Sequence, residues 1–75
     1  MVRHFRLNQA ASDYLLENMD DVQLQQINKF TLKMLSSDSI ITDSMLLERL
    51  HFEEQDIENI ISLGAVDVTY YGVLL

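Results

Sequence analysis

Residues 42–75 read TDSMLLERLHFEEQDIENIISLGAVDVTYYGVLL, and a change of hydrophobic period inside this stretch decides the fold. Met45, Leu46, Leu47 and Leu50 recur at helical spacing behind Thr42 or Asp43, either of which can cap a short helix over 42–50. His51 and Phe52 form the turn. The next helix covers 53–63, buries Ile57, Ile60 and Ile61 with Leu63 near its end, and stops at Gly64, which suits the left-handed position after a helix. Val66, Val68 and Tyr70 then alternate with Asp67, Thr69 and Tyr71, so the period drops from about 3.6 to about 2. This predicts one strand over 66–71 with Tyr71 on its exposed side. Gly72 allows a bend before Val73, Leu74 and Leu75, giving either a continued strand or a small hairpin.

Upstream, Ile40 and Ile41 are adjacent β-branched residues suited to a brief edge pairing. Before them, residues 22–35 carry the strongest helical signal of the chain. Leu24, Ile27, Phe30, Thr31, Met34 and Leu35 form a stripe opposed by Gln23, Gln25, Gln26, Asn28, Lys29 and Lys33. Asp20 and Asp21 suit its N-terminal cap, and Ser36, Ser37, Asp38 and Ser39 end it by competing for backbone hydrogen bonds. A further helix is expected from Leu7 to about Asn18, with Ala10, Ala11, Tyr14, Leu15 and Met19 on a face of mostly small residues. Such a face permits close approach of another helix, in this chain or in a second copy. Residues 1–6 are expected to be a mobile arm.

The succession of helix 22–35, extended Ile40-Ile41, helix 42–50, turn, helix 53–63 and strand 66–71 resembles the order of a winged helix-turn-helix domain. Leu46, Leu47 and Leu50, then Ile57, Ile60 and Ile61, then Leu63-Gly64-Ala65-Val66 carry the resemblance, which spans 22–75. It implies a mainly α (α+β) fold: four short helices with a C-terminal β-strand or small hairpin. The chain is read as a single domain with a helical half over 7–35 and a winged-helix-like half over 40–75. DNA-reading members place Arg, Lys, Asn or Gln near the start of the second helix; here Glu53, Glu54, Gln55 and Asp56 stand there.

Charge sharpens that departure. Twelve acidic residues against five basic ones leave a net charge of −7, and no Lys or Arg follows Arg49. Acids at a helix start repel phosphates, so direct DNA binding through this helix is disfavoured. The other use of such folds is as protein-interaction modules. The resulting expectation is a small regulatory or adaptor protein that meets a basic protein partner through Glu53, Glu54, Asp56, Glu58 and Tyr71. Two alternatives are a DNA-binding regulator using Arg3, Arg6, Lys29 and Lys33, and a nucleic-acid mimic.

The chain has 75 residues and no cysteine, so neither a disulfide nor a thiolate metal site reinforces a core of marginal size. Self-association is a common remedy, and a homo-oligomer is expected. No apolar run reaches the roughly 18 residues that span a bilayer, which predicts a cytoplasmic protein without membrane contact. Enzymatic activity is not expected. His4 and His51 are the two candidate bases, and the serines lie in caps and loops where backbone reasons explain them. His51, Glu54 and Glu58 have one-sided helical spacing but no recognisable fourth metal ligand, and an acidic first turn is favoured by the helix dipole alone. No cofactor is implied.

Overall fold

The computed structural model describes residues 1–70, and its order is β1 (His4–Arg6), α1 (Gln9–Glu17), α2 (Asp21–Gln25), α3 (Lys29–Met34), β2 (Ile40–Thr42), a π-helical turn (Met45–Arg49), α4 (Glu54–Ser62) and β3 (Val66–Asp67). The three short strands form one antiparallel sheet in the order β2-β1-β3. It is an α+β arrangement.

The N-terminal residues are not an arm. Phe5 is fully buried between exposed His4 and Arg6, and β1 is the central strand, paired with β2 on one side and β3 on the other. Its backbone is used well beyond the strand itself: the Leu7 amide donates to Ser39 O (2.9 Å), Asp43 N to Arg3 O (3.0 Å) and Val68 N to His4 O (2.8 Å). The alternation of His4 and Arg6 with Phe5 and Leu7 covers only a few residues, too few for a period to declare itself.

The expected helix over 22–35 is divided. Asp20 and Gln23 form a reciprocal cap at the start of α2, with Gln23 N donating to Asp20 Oδ1 (2.8 Å) and Asp20 N to Gln23 Oε1 (2.7 Å). Asn28 then caps α3 by accepting from Thr31 N (2.8 Å), with its own backbone extended. An Asn in mid-pattern thus opens a second helix instead of continuing the first, because its side chain competes for backbone donors. Of the expected stripe only Leu35 is fully buried, while Leu24 and Phe30 are exposed. The Ser36–Ser39 stop is as expected: both hydroxyls donate to Lys33 O, at 2.6 and 3.0 Å.

Ile41 turns into the core from edge strand β2. Thr42 Oγ1 accepts from Met45 N (3.1 Å) and opens the next turn, in which Leu50 N reaches five residues back to Met45 O (3.0 Å). Leu46 and Leu50 are buried there. His51 takes a left-handed backbone (φ 60°) and directs the chain into α4, with Phe52 buried beside it. Ile57 and Ile60 bury the inner face of α4, whereas Ile61 and Leu63, expected inside, are exposed.

α1 and α4 pack on each other, and the small Ala11 and Ser12 of α1 are buried. The small-residue stripe therefore serves contact within this chain. Asn8 joins the two helix ends, accepting from Ala11 N (2.9 Å) and donating to the Leu63 carbonyl (2.8 Å).

The strand predicted over 66–71 is only Val66–Asp67. Asp67 Oδ1 accepts from Thr69 N (2.9 Å) and from the Thr69 hydroxyl, and this side-chain turn replaces the ladder that an uninterrupted strand would have made. The alternation fails in consequence: Val68 and Thr69 are buried, while Val66 and Tyr70 are exposed. The expected exposure of Tyr71 and the hairpin at Gly72 lie outside the described residues. Among the described residues no helix is long and apolar enough to cross a membrane.

Gly64 has φ 115°, and a Cβ placed on it would collide with the Asn8 amide group that holds Leu63. Gly64→Ala should lower stability by roughly 1–3 kcal/mol, read from urea unfolding; an unchanged midpoint would show that neither the backbone angle nor the Asn8 contact constrains this corner.

Candidate interaction surface

Helix α4 offers two different faces. Ile57 and Ile60 point into the core, and a polar seam beside them fixes the helix against α1. Within that seam the Tyr14 hydroxyl donates to Asp56 Oδ1 (2.8 Å) and accepts from Asn59 Nδ2 (2.8 Å). The other Asp56 oxygen, Oδ2, accepts from Glu53 N (2.9 Å), satisfying an amide that the helix start leaves without a partner. Asp56, expected at the interface, is thus occupied inside the molecule.

Glu53, Glu54 and Glu58 are exposed, and Glu54 and Glu58 share one side of the helix at i, i+4 spacing. Ile61 continues that side by a further turn and is exposed. The acidic first turn sits at the positive end of the helix dipole, which favours carboxylates there without any partner. Nothing among the described residues pairs with these three glutamates, because the one ion pair is Arg3 with Asp67 at 3.3 Å. Tyr71, the remaining expected contact residue, lies outside the described residues.

The expected basic set is split. Arg3 is half-buried, engaged with Asp67 and stacked over the Phe5 ring with its guanidinium carbon 4.9 Å from the centroid. Arg6, Lys29 and Lys33 are exposed and have no ion-pair partner among the described residues. Arg6 is directly opposite Ile40 in the sheet, and Phe30, Lys33, Met34, Ser39 and Ile40 line an open groove of about 300 Å³. His51 is exposed at its corner. The helical stripe places Phe30 inside and the β-branched pair places Ile40 on a strand edge, so the sequence pattern does not bring the two together as the structure does.

Hydrogen bonds from Thr69, first the hydroxyl and then the amide, hold the Asp67 carboxyl below the usual carboxylate range against the opposing effect of burial, and Arg3 adds to them. Comparison with known proteins gave no matching family model, no matching curated protein and no matching solved structure.

A pKa lowered by folding stabilises the native state fully above the ordinary carboxylate range, and that contribution is lost as pH falls through the lowered value. The stability difference between wild type and Asp67→Ala should therefore shrink on acidification from about pH 7 to about pH 3, and shrink in high salt because the pair is solvent-facing. A difference that is constant with pH in thermal melts would contradict this. Separately, Tyr14→Phe removes the hydroxyl shared by Asp56 and Asn59 and should cost about 1–2 kcal/mol in urea unfolding; a cost near zero would show that water replaces it freely.

Proposed function

We propose that this chain is a regulatory or adaptor module that works by binding another protein, and that its arrangement is winged-helix-like: the Met45–Arg49 turn, the His51 corner and α4 form the helix pair, and β3 is the strand that follows. The observation that carries the reading is the solvent face of α4, where Glu53, Glu54 and Glu58 are exposed and free of cations among the described residues. In a DNA reader this helix would lie against phosphates. Each phosphate neutralised by a basic side chain adds to affinity through counterion release, and carboxylates in the same place reverse that contribution.

A protein partner with a basic surface fits the same face. Charge raises the encounter rate, and the apolar Ile61 at the end of the acidic side supplies area that desolvates on contact. Glu53, Glu54 and Glu58 are the contact residues of the proposal, with Asp56 setting the position of the helix. Homo-oligomerisation is part of it: Val22 and Leu24 on α2 are apolar and more than half exposed, at 59 % and 52 %.

The test is crosslinking and affinity capture from cells expressing the chain, with wild type compared with Glu54→Lys/Glu58→Lys. Captured basic proteins should be lost from the variant, with equal folding of the two forms checked by circular dichroism. An unchanged capture profile, or duplex DNA bound tightly by wild type through α4, would overturn the reading.

A further inference from the structure

The sheet has two edges, and they are treated differently. At the β3 edge the strand ends after Asp67, whose carboxylate is bound by Arg3 and by Thr69. A charge and an early turn are ordinary means of closing an edge. The β2 edge, Ile40-Ile41-Thr42, has neither charge nor proline.

Its outward backbone groups follow from the register. Leu7 bonds Ser39, and Arg3 bonds Asp43, so the intervening hydrogen-bonded pair is Phe5 with Ile41. Ile40 and Thr42 alternate with these. The N–H and C=O of Ile40 and the N–H of Thr42 therefore point away from β1. Beside them lie Phe30, 73 % exposed, and the Ile40 side chain, 46 % exposed, with Met34 closing the groove. Lys33 lines it, Lys29 stands one turn earlier on the same side of α3, and Arg6 is the cross-strand neighbour of Ile40. Two lysines of a chain with net charge −7 thus border one uncharged strand edge, Arg6 stands one strand further in, and Asp38 and Asp43 are the acids that flank the strand.

We propose that the β2 edge, with the Phe30–Met34–Ile40 groove, receives an extended segment of a partner protein in which apolar residues alternate with carboxylates. The segment adds as an outer strand, its backbone pairs with Ile40 and Thr42, an apolar side chain fills the groove, and its carboxylates meet Lys33 and Lys29. Charge complementarity selects this occupant over a second copy of the chain: a two-fold pairing of β2 with itself would bring the two Lys33 side chains toward one another. The open backbone edge selects a strand over a nucleic acid, whose bases can stack on an exposed ring but which cannot continue a sheet. This surface is separate from α4 and stands or falls apart from it.

The experiment uses the isotope-labelled full chain and a synthetic peptide alternating valine with glutamate. The peptide should bind saturably, shift the amide signals of Ile40 and Thr42, and slow their hydrogen exchange, in wild type and equally in Glu54→Lys/Glu58→Lys. A matched valine–lysine peptide should bind at least about tenfold more weakly, and Lys33→Glu and Phe30→Ser should each lose at least about tenfold, with unchanged spectra elsewhere. Equal binding of the lysine peptide overturns the proposal, as do shifts confined to α4, protection of Ile40 by dimerisation without peptide, and tighter binding of duplex DNA at the same amides.

Discussion

The placement of β1 at the centre of the sheet is the constraint on which this fold depends. A strand of three residues has little stability of its own, yet here it supplies both neighbours of the sheet with their hydrogen-bonding partner and carries the buried Phe5 into the core. Without it β2 and β3 would be two isolated edges. Its flanks tie residues distant in sequence, with His4 O taking Val68 N and the Arg3 guanidinium taking Asp67. The helices are fitted around that frame: Leu7 leads directly into the Asn8 cap of α1, and the same Asn8 holds the Leu63 carbonyl that follows α4. Local caps decide where each helix begins, and the sheet decides where residues 4–6 meet residues 66–68.

Much of this was legible in the residues, and two of the failures share a cause. The second half was readable because Leu46, Leu50, Ile57 and Ile60 have strong helical spacing, Ile40-Ile41 are β-branched, and Gly64 marks a stop with its positive φ. What escaped was decided by side-chain hydrogen bonds that no period records. Asn28 divides a helix whose apolar stripe looked continuous, and Asp67 ends a strand whose alternation looked regular. β1 escaped for a different reason: its partners are some 35 and 60 positions away in sequence, and short strands recruited by distant partners leave a weak local signature. Of the expected contact residues, Glu53, Glu54 and Glu58 are where helical spacing put them, on the open side of α4. Asp56 is tied into the molecule by Tyr14, a neighbour that comes from another helix.

The same partition organises the charge. Acids gather on the outer side of α4, and Lys29 and Lys33 gather around the β2 edge with Arg6 one strand further in, so a chain with a large negative surplus still presents one basic and apolar groove. Arg3 is withdrawn from that set by Asp67 and the Phe5 ring. Both surfaces are consequences of the frame. α4 shows its glutamates because Ile57, Ile60 and the Tyr14 seam fix its inner side, and the groove exists because α3 starts afresh at Asn28 and leaves Phe30 beside Ile40. Contact with other molecules would thus be set by the packing inside.

Native-state hydrogen exchange at the Phe5 amide tests the role of β1 most directly. A central strand opens only when the whole molecule does, so this amide should exchange at the slow global rate alongside those of Leu15 and Ile57. Exchange of Phe5 at the rate of a fraying terminus, while the helical amides stay protected, would contradict the account.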